Sequence, residues 1–192
     1  WTLASEADPY AVLPLAFVMV AGPQILSSFF FATSEGWQRT SAAYVLGSAI
    51  SISIVVTAAF LLSSGATDSG TSDDTIYYIV LALLLIAMLH TFRTRKTAEP
   101  PSWMGKLQTA TPRFAFRLGF LLLGFFPSDL LTSLSVGGYL NASGDPLWYA
   151  VGFLGLTLLL LGAPALAVLL LGKRAERVLP RVRDWMNENS WI

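Results

Sequence analysis

Apolar residues fall into five long blocks, roughly Tyr10 to Thr33, Ser41 to Leu62, Ile76 to Phe92, Phe114 to Tyr139 and Leu147 to Leu171. Crossing a bilayer core of about 30 Å as a helix takes about 20 apolar residues. Four blocks reach that length; the third is the shortest and attains it only at its outer limits, Thr75 to Thr94. The two-residue alternation of a barrel strand is absent, and an open sheet would leave its backbone unpaired in lipid. The pattern therefore predicts an all-α, polytopic transmembrane helix bundle with five spans. The first block follows Glu6, Asp8 and Pro9 rather than a basic leader and is too long for a signal sequence, so it reads as a mature span.

Composition agrees with this reading and removes several chemistries. Of 192 residues, 54% are hydrophobic and only 12% charged, with mean hydropathy +0.61, whereas charged residues alone make up about a quarter of a soluble domain. Net charge is zero, so the total offers no electrostatic case for nucleic acid. With no cysteine there is no disulfide, thiolate metal site or thiol relay. A single histidine, His90, cannot build a metal or haem centre. None of Lys96, Lys106 and Lys173 lies in an apolar block, which excludes a Schiff base within the membrane. No triad, metal cluster or phosphate loop emerges, and the expectation is a non-enzymatic protein without metal or cofactor.

The placement of charge sets the orientation. Arg39, the group Arg93, Arg95, Lys96, Lys106, Arg113 and Arg117, and the group Lys173, Arg174, Arg177, Arg181 and Arg183 account for all 12 basic residues, and all lie on one side of the predicted spans. The opposite side carries Glu6, Asp8, Asp68, Asp73, Asp74 and Asp145 and no base. By the positive-inside rule the N-terminus is outside, while loop 93–113 and segment 172–192 are cytoplasmic, in a multi-pass protein of the cell membrane. The loop Ser63 to Asp74 reads as flexible and solvated; its acids lack the spacing of an EF-hand. Asn141-Ala142-Ser143 is a sequon on the outer side. After the fifth span, Ala175, Val178, Leu179, Val182, Trp185 and Met186 recur at helical steps among arginines, as in an amphipathic segment lying on the leaflet, with a bend expected at Pro180.

Two spans carry a proline near mid-length. Pro23, within Gly22-Pro23-Gln24-Ile25-Leu26-Ser27-Ser28, lies 14 residues from Pro9 and 12 from Glu35. Pro127, within Phe126-Pro127-Ser128-Asp129-Leu130-Leu131-Thr132-Ser133, lies 10 residues from Arg117 and 14 from Asn141. At ~1.5 Å per residue both fall near the midplane. Tyr44-Val45-Leu46-Gly47 follows the first proline by 21 residues, and Tyr149-Ala150-Val151-Gly152 follows the second by 22. Since the first and fourth spans run oppositely under this topology, the pattern predicts an inverted repeat, about 10–92 and 114–192, within one domain. Broken helices of that kind place substrate or ion sites at the midplane.

Apart from Arg117 at a span edge, Asp129 is the only charge inside a span. A carboxylate there is costly unless protonated, paired or wetted, which makes Asp129 a candidate proton carrier and the centre of a substrate or ion site. The alternative is that it caps the half-helix restarting at Pro127. Pro23, Gln24, Ser27, Ser28, Pro127, Ser128, Thr132 and Ser133 are its candidate neighbours, each also able to serve as packing glue. Small residues at Gly47, Ser48, Ser51, Ser53, Gly152 and Gly155 would allow close helix approach, and Pro164 should kink or end the fifth span.

These residues resemble the lysine-exporter (LysE-like) superfamily, and within it the GAP or sulfolipid-addressing (Sap-like) branch. The resemblance rests on Gly22-Pro23-Gln24-Ile25-Leu26, Tyr44-Val45-Leu46-Gly47, Phe116-Arg117-Leu118-Gly119 leading to Pro127, and Arg183-Asp184-Trp185-Met186. It implies a three-plus-three arrangement and export of a small solute or ion, or help in delivering a lipid to the cell surface. It also implies a sixth span, which does not follow Trp185, so the second repeat is incomplete: the sixth helix is missing from the chain, supplied by a partner, or left open. Disulfide-relay relatives in the wider superfamily are excluded by the absence of cysteine. The expectation is thus a membrane transporter with a midplane site, or alternatively a non-transporting membrane subunit or lipid-delivery factor. Membrane lipids, a small solute, ion or lipid, and a second copy or partner subunit are the partner classes.

Overall fold

A computed structural model describes residues 10–68 and 110–172, together with Val178, Arg181, Val182, Asp184 and Trp185, and every described element is helical. The third apolar block, His90, the basic residues from Arg93 to Lys106 and most of the predicted outer acids lie outside the described residues.

The first block folds as two short helices, α1 (Leu15–Val20) and α2 (Pro23–Ala32). Proline cannot donate to the preceding turn and disfavours helical geometry in the residue before it. The chain accordingly turns extended at Ala21 (φ −67°, ψ 128°) and passes through Gly22 at φ 111°, a conformation that a side chain would strain. It restarts with Pro23 as the first helical residue, where a missing N–H costs nothing. The Thr33 hydroxyl donates back to the Phe29 and Phe30 carbonyls at the end of α2. A turn through Gly36 then leads into α3 (Trp37–Asp68), whose 32 residues outlast a bilayer core.

The fourth block is broken in a related way. α4 (Pro112–Phe125) is capped by the Thr111 hydroxyl, which accepts from the Phe114 amide at 3.3 Å. Phe126 is extended (φ −68°, ψ 132°), and α5 (Pro127–Ala142) restarts on Pro127 at 64° to α4. A 3-10 turn at Leu147–Tyr149 opens α6 (Ala150–Leu171), which continues through Pro164 rather than ending there. Asn141 of the sequon lies in the last turn of α5, and Val178, Arg181, Val182, Asp184 and Trp185 are helical.

Among the described residues, α3 and the helical stretch Leu147–Leu171 are each long and apolar enough to cross a membrane, and the bent pair α4–α5 makes a third candidate span. Only about a third of the apolar stretch in α3 and 28% of that in α6 is buried in the protein. Leu46, Ile54, Leu159 and Leu169 face outward, while Gln24, Ser48, Ser51, Asp129, Ser133 and Thr157 are buried. That inside-out distribution suits a protein solvated by lipid, and the chain is an integral membrane protein.

Contacts fix the relative directions of the helices. Tyr44 and Ser48 lie against Gly119, Ser51 against Phe120 and Gly124, and Val56 and Ala59 against Gly137, so α3 runs parallel to α4–α5. Leu13 lies beside Gly152, Ser28 bonds the Leu161 carbonyl, and Ala32 packs on Val168, so α1–α2 runs parallel to α6. Phe31 stacks on Tyr44 beside Gly119, while Gln24 meets Asp129, so the two broken segments are antiparallel. The end of α3 and the start of α4 therefore sit at opposite ends of the bundle.

The α3–α4 seam is close because it has no side chains in the way. A Cβ on Gly47 would collide with the Phe116 carbonyl, one on Gly119 with the Tyr44 carbonyl, and one on Gly137 with the Val56 carbonyl. Gly152 would meet only Leu13 at an ordinary 3.5 Å, and Gly155 nothing within 4 Å. Of the small residues that predicted close approach, Gly47, Ser48 and Ser51 in α3 use it, and Gly152 and Gly155 in α6 do not.

Candidate functional site

The two prolines bring two half-helix N-termini together, because each break lies partway along its segment and the segments run antiparallel. Gln24 is the second residue of α2 and Asp129 the third of α5, and both side chains are fully buried. The Gln24 amide Nε2 donates to Asp129 Oδ2. Ser128 Oγ is 3.4 Å from Asp129 Oδ1, a long hydrogen bond. An acid in the first turn of a helix is favoured by the positive end of the helix dipole. Its carboxylate bonds the side chains of Gln24 and Ser128, one from each broken segment.

Gln24 is held from a third helix. Tyr44, buried in α3, donates its hydroxyl to the Gln24 carbonyl at 2.9 Å and stacks against Phe31 with ring centroids 5.1 Å apart. Tyr44 entered the sequence reading as part of a repeated motif, not as a site residue. A tyrosine hydroxyl in an apolar span needs a buried partner, and that was the available signal. Tyr149, its counterpart in the second motif, packs edge-on against Trp148 instead.

The remaining predicted neighbours divide. Ser27 Oγ donates to the Pro23 carbonyl at 2.7 Å and Thr132 Oγ1 to the Ser128 carbonyl at 2.8 Å, each within its own helix. Ser28 Oγ reaches across to the Leu161 carbonyl of α6. Ser133 is fully buried, and its hydroxyl has no partner among the described residues; the same holds for Gln24 Oε1. The structure thus joins Gln24, Asp129 and Ser128, places Pro23 and Pro127 at the breaks, and turns Ser27, Ser28 and Thr132 to other acceptors.

Two cavities lie away from this centre. A groove of about 440 Å³ runs between the first half of α3 and the second half of α6, lined by Trp37, Ser41, Val45, Leu158, Leu166 and Leu169 among others. A crevice of about 370 Å³ at the start of α4 is lined by Pro112, Arg113, Phe116 and Arg117. Among the described residues no three histidine, cysteine or acidic side chains are grouped as metal ligands. The arrangement offers one desolvated carboxylate with hydrogen-bond donors from two broken segments, a unit suited to binding and releasing a small charged species.

Compared with known proteins, residues 12–192 match a family model described as Sap, sulfolipid-1-addressing protein. No curated protein and no solved structure matches the chain.

Proposed function

Because the chain belongs to the Sap, sulfolipid-1-addressing protein, family, we propose that it is an integral membrane exporter of a small solute or ion, working from a midplane site between its two broken segments. The observation that carries this reading is the buried contact between Gln24 of α2 and Asp129 of α5. A carboxylate is retained at such a depth where a function uses it. Antiparallel broken helices meeting at one polar centre fit the inverted-repeat transporters, in which one half rocks against the other. The parallel course of α3 and α4–α5 supports a further crossing between them, as the third apolar block predicts, and hence five spans in a three-plus-three plan. The placement of bases and acids supports an outer N-terminus with a cytoplasmic 93–113 loop. The protein is read as non-enzymatic.

The test uses purified protein in liposomes. Asp129→Asn should abolish solute flux while leaving the fold intact by thermal unfolding. Because the chain has no native cysteine, single cysteines at Ser128, Thr132 and Ser133 should label with aqueous reagents from one face or the other. Unchanged flux in Asp129→Asn, with no labelling from either side, sinks the transport reading.

A second reading, a lipid-delivery factor acting through a bound partner or lipid, is favoured by the family description and by the groove of about 440 Å³ between α3 and α6. Protein that moves no solute yet retains a stable companion or lipid through purification would favour it.

A further inference from the structure

We propose that the oxygens around Asp129 form a binding site for a dehydrated monovalent alkali cation. The proposal rests on the transport reading for its purpose and names the ion that the site would carry or couple to.

The first argument is covalent. Pro23 and Pro127 have no N–H, so the carbonyls four residues earlier, Met19 and Leu123, lose their helical donors. Both residues are fully buried, one at each break. Helical carbonyls point along the axis toward the C-terminal end, so these two face the gaps from which α2 and α5 restart. Freed carbonyls at half-helix ends are the groups with which broken membrane helices hold cations.

Unused side-chain oxygens lie on the residues around Asp129. Gln24 Oε1 is buried without a partner among the described residues. Its own amide nitrogen is bonded to Asp129, so covalent geometry keeps that oxygen close to the carboxylate. On its other side it faces the first break, since a Cβ built on Gly22 would lie 3.1 Å from it. Ser133, one helical turn beyond Asp129 on the same face of α5, also has a fully buried hydroxyl without a partner. Asp129 itself uses one acceptor direction on Gln24 and one on Ser128, out of about four available to a carboxylate.

Charge and donor type select the ion. One carboxylate is neutralised by one monovalent cation. A divalent ion would leave net positive charge buried where the dielectric is low. Among the described residues the donors are all hard oxygens, with no imidazole or thiolate grouped with them, which disfavours transition metals. Gln24 Oε1 and Ser133 Oγ, buried with no hydrogen-bond partner among the described residues, are oxygens that a bound cation satisfies and an apolar ligand does not.

The experiment measures thermal unfolding of the full chain in detergent or nanodiscs, in sodium, lithium, potassium or choline chloride at equal ionic strength. Sodium is expected to raise Tm saturably over choline, by about 3–5 °C at ten times its half-saturating concentration. The rise should vanish in Asp129→Asn, and half-saturation should weaken severalfold in Ser133→Ala, which loses no hydrogen bond to a described residue and keeps the fold if the aspartate variant does not. Equal Tm in all four salts, or a sodium effect that persists in Asp129→Asn, overturns the site. Flux that requires Asp129 but is indifferent to the alkali cation also overturns it while leaving the transport reading standing. Saturable sodium stabilisation without flux does the reverse.

Discussion

The two broken segments share one device and differ in nearly everything around it. Each passes through an extended residue, Ala21 or Phe126, and restarts on a proline at the first helical position. The first inserts Gly22 at φ 111° and contributes an amide, Gln24; the second needs no glycine and contributes the acid, Asp129. Their surroundings diverge further. α4–α5 is set against α3 along Gly47, Gly119, Gly124 and Gly137, where backbone meets backbone or a serine. α1–α2 lies against α6 through ordinary side-chain contacts and a Ser28 to Leu161 hydrogen bond. The difference is one of packing: α3 and α4–α5 meet backbone to backbone, whereas α1–α2 and α6 meet through side chains.

The largest expected effect tests that asymmetry. Gly47→Leu forces a side chain into the Phe116 carbonyl and should destabilise the protein by about 3 kcal/mol or more, because overpacking against backbone cannot be relieved by a rotamer change. Gly155→Leu, with nothing within 4 Å of its Cβ position, should cost less than about 1 kcal/mol. Thermal unfolding of both variants in detergent provides the measurement; equal losses would erase the distinction between the two sides.

Next comes the polar bond that crosses between the segments. Asp129→Leu removes the acceptor of a buried Gln24 amide and should cost about 1–3 kcal/mol, the desolvation of an orphaned donor. Replacing both partners, Gln24→Leu with Asp129→Leu, should recover part of that loss while leaving flux absent. A double variant no more stable than the single one would mean that Gln24 finds another partner, and that the bond does not link the segments energetically.

Sequence made some of this legible and hid the rest for identifiable reasons. The breaks could be read from Pro23 and Pro127, since proline acts on the backbone locally, and Asp129 stood out as the lone charge within a span. Gln24 was one of several candidate neighbours that followed from both prolines lying near mid-span on segments of opposite direction, and nothing in the sequence singled it out. Ser27 and Thr132 were not distinguishable from true neighbours, because a serine or threonine in a helix can always turn back to its own i−4 carbonyl. The tight seam was half visible. Small residues appeared in both α3 and α6, but which face of each helix meets a partner depends on rotation about its axis, and that is set by tertiary packing. Pro164 has the same local chemistry as Pro127, yet α6 stays helical through it. What differs is the residue before it: Phe126 goes extended, whereas Ala163 remains helical.

A smaller contrast separates the breaks themselves. Gly22→Ala must hold a Cβ at φ 111° and within 3.1 Å of Gln24 Oε1, so it should cost about 1–3 kcal/mol. Phe126→Ala keeps a conformation open to any residue and removes a partly exposed side chain, so it should cost less than about 1 kcal/mol. Matching losses in thermal unfolding would mean that the first break is no more constrained than the second.

The smallest effects sharpen the picture of how each segment is held. Ser28 and Ser133 are both buried serines one turn or so into a half-helix, but Ser28 donates to the Leu161 carbonyl and Ser133 to nothing among the described residues. Ser28→Ala should therefore cost about 1 kcal/mol, the net worth of one neutral hydrogen bond. In sodium-free buffer Ser133→Ala should lie within about 0.5 kcal/mol of the parent, since it removes a desolvated hydroxyl that bonds nothing. The comparison is informative because the substitutions are chemically identical, so helix propensity and lost volume nearly cancel between them. A Ser133→Ala loss as large as that of Ser28→Ala would reveal a partner for the Ser133 hydroxyl, and the polar centre would then be a closed network rather than one with an oxygen to spare.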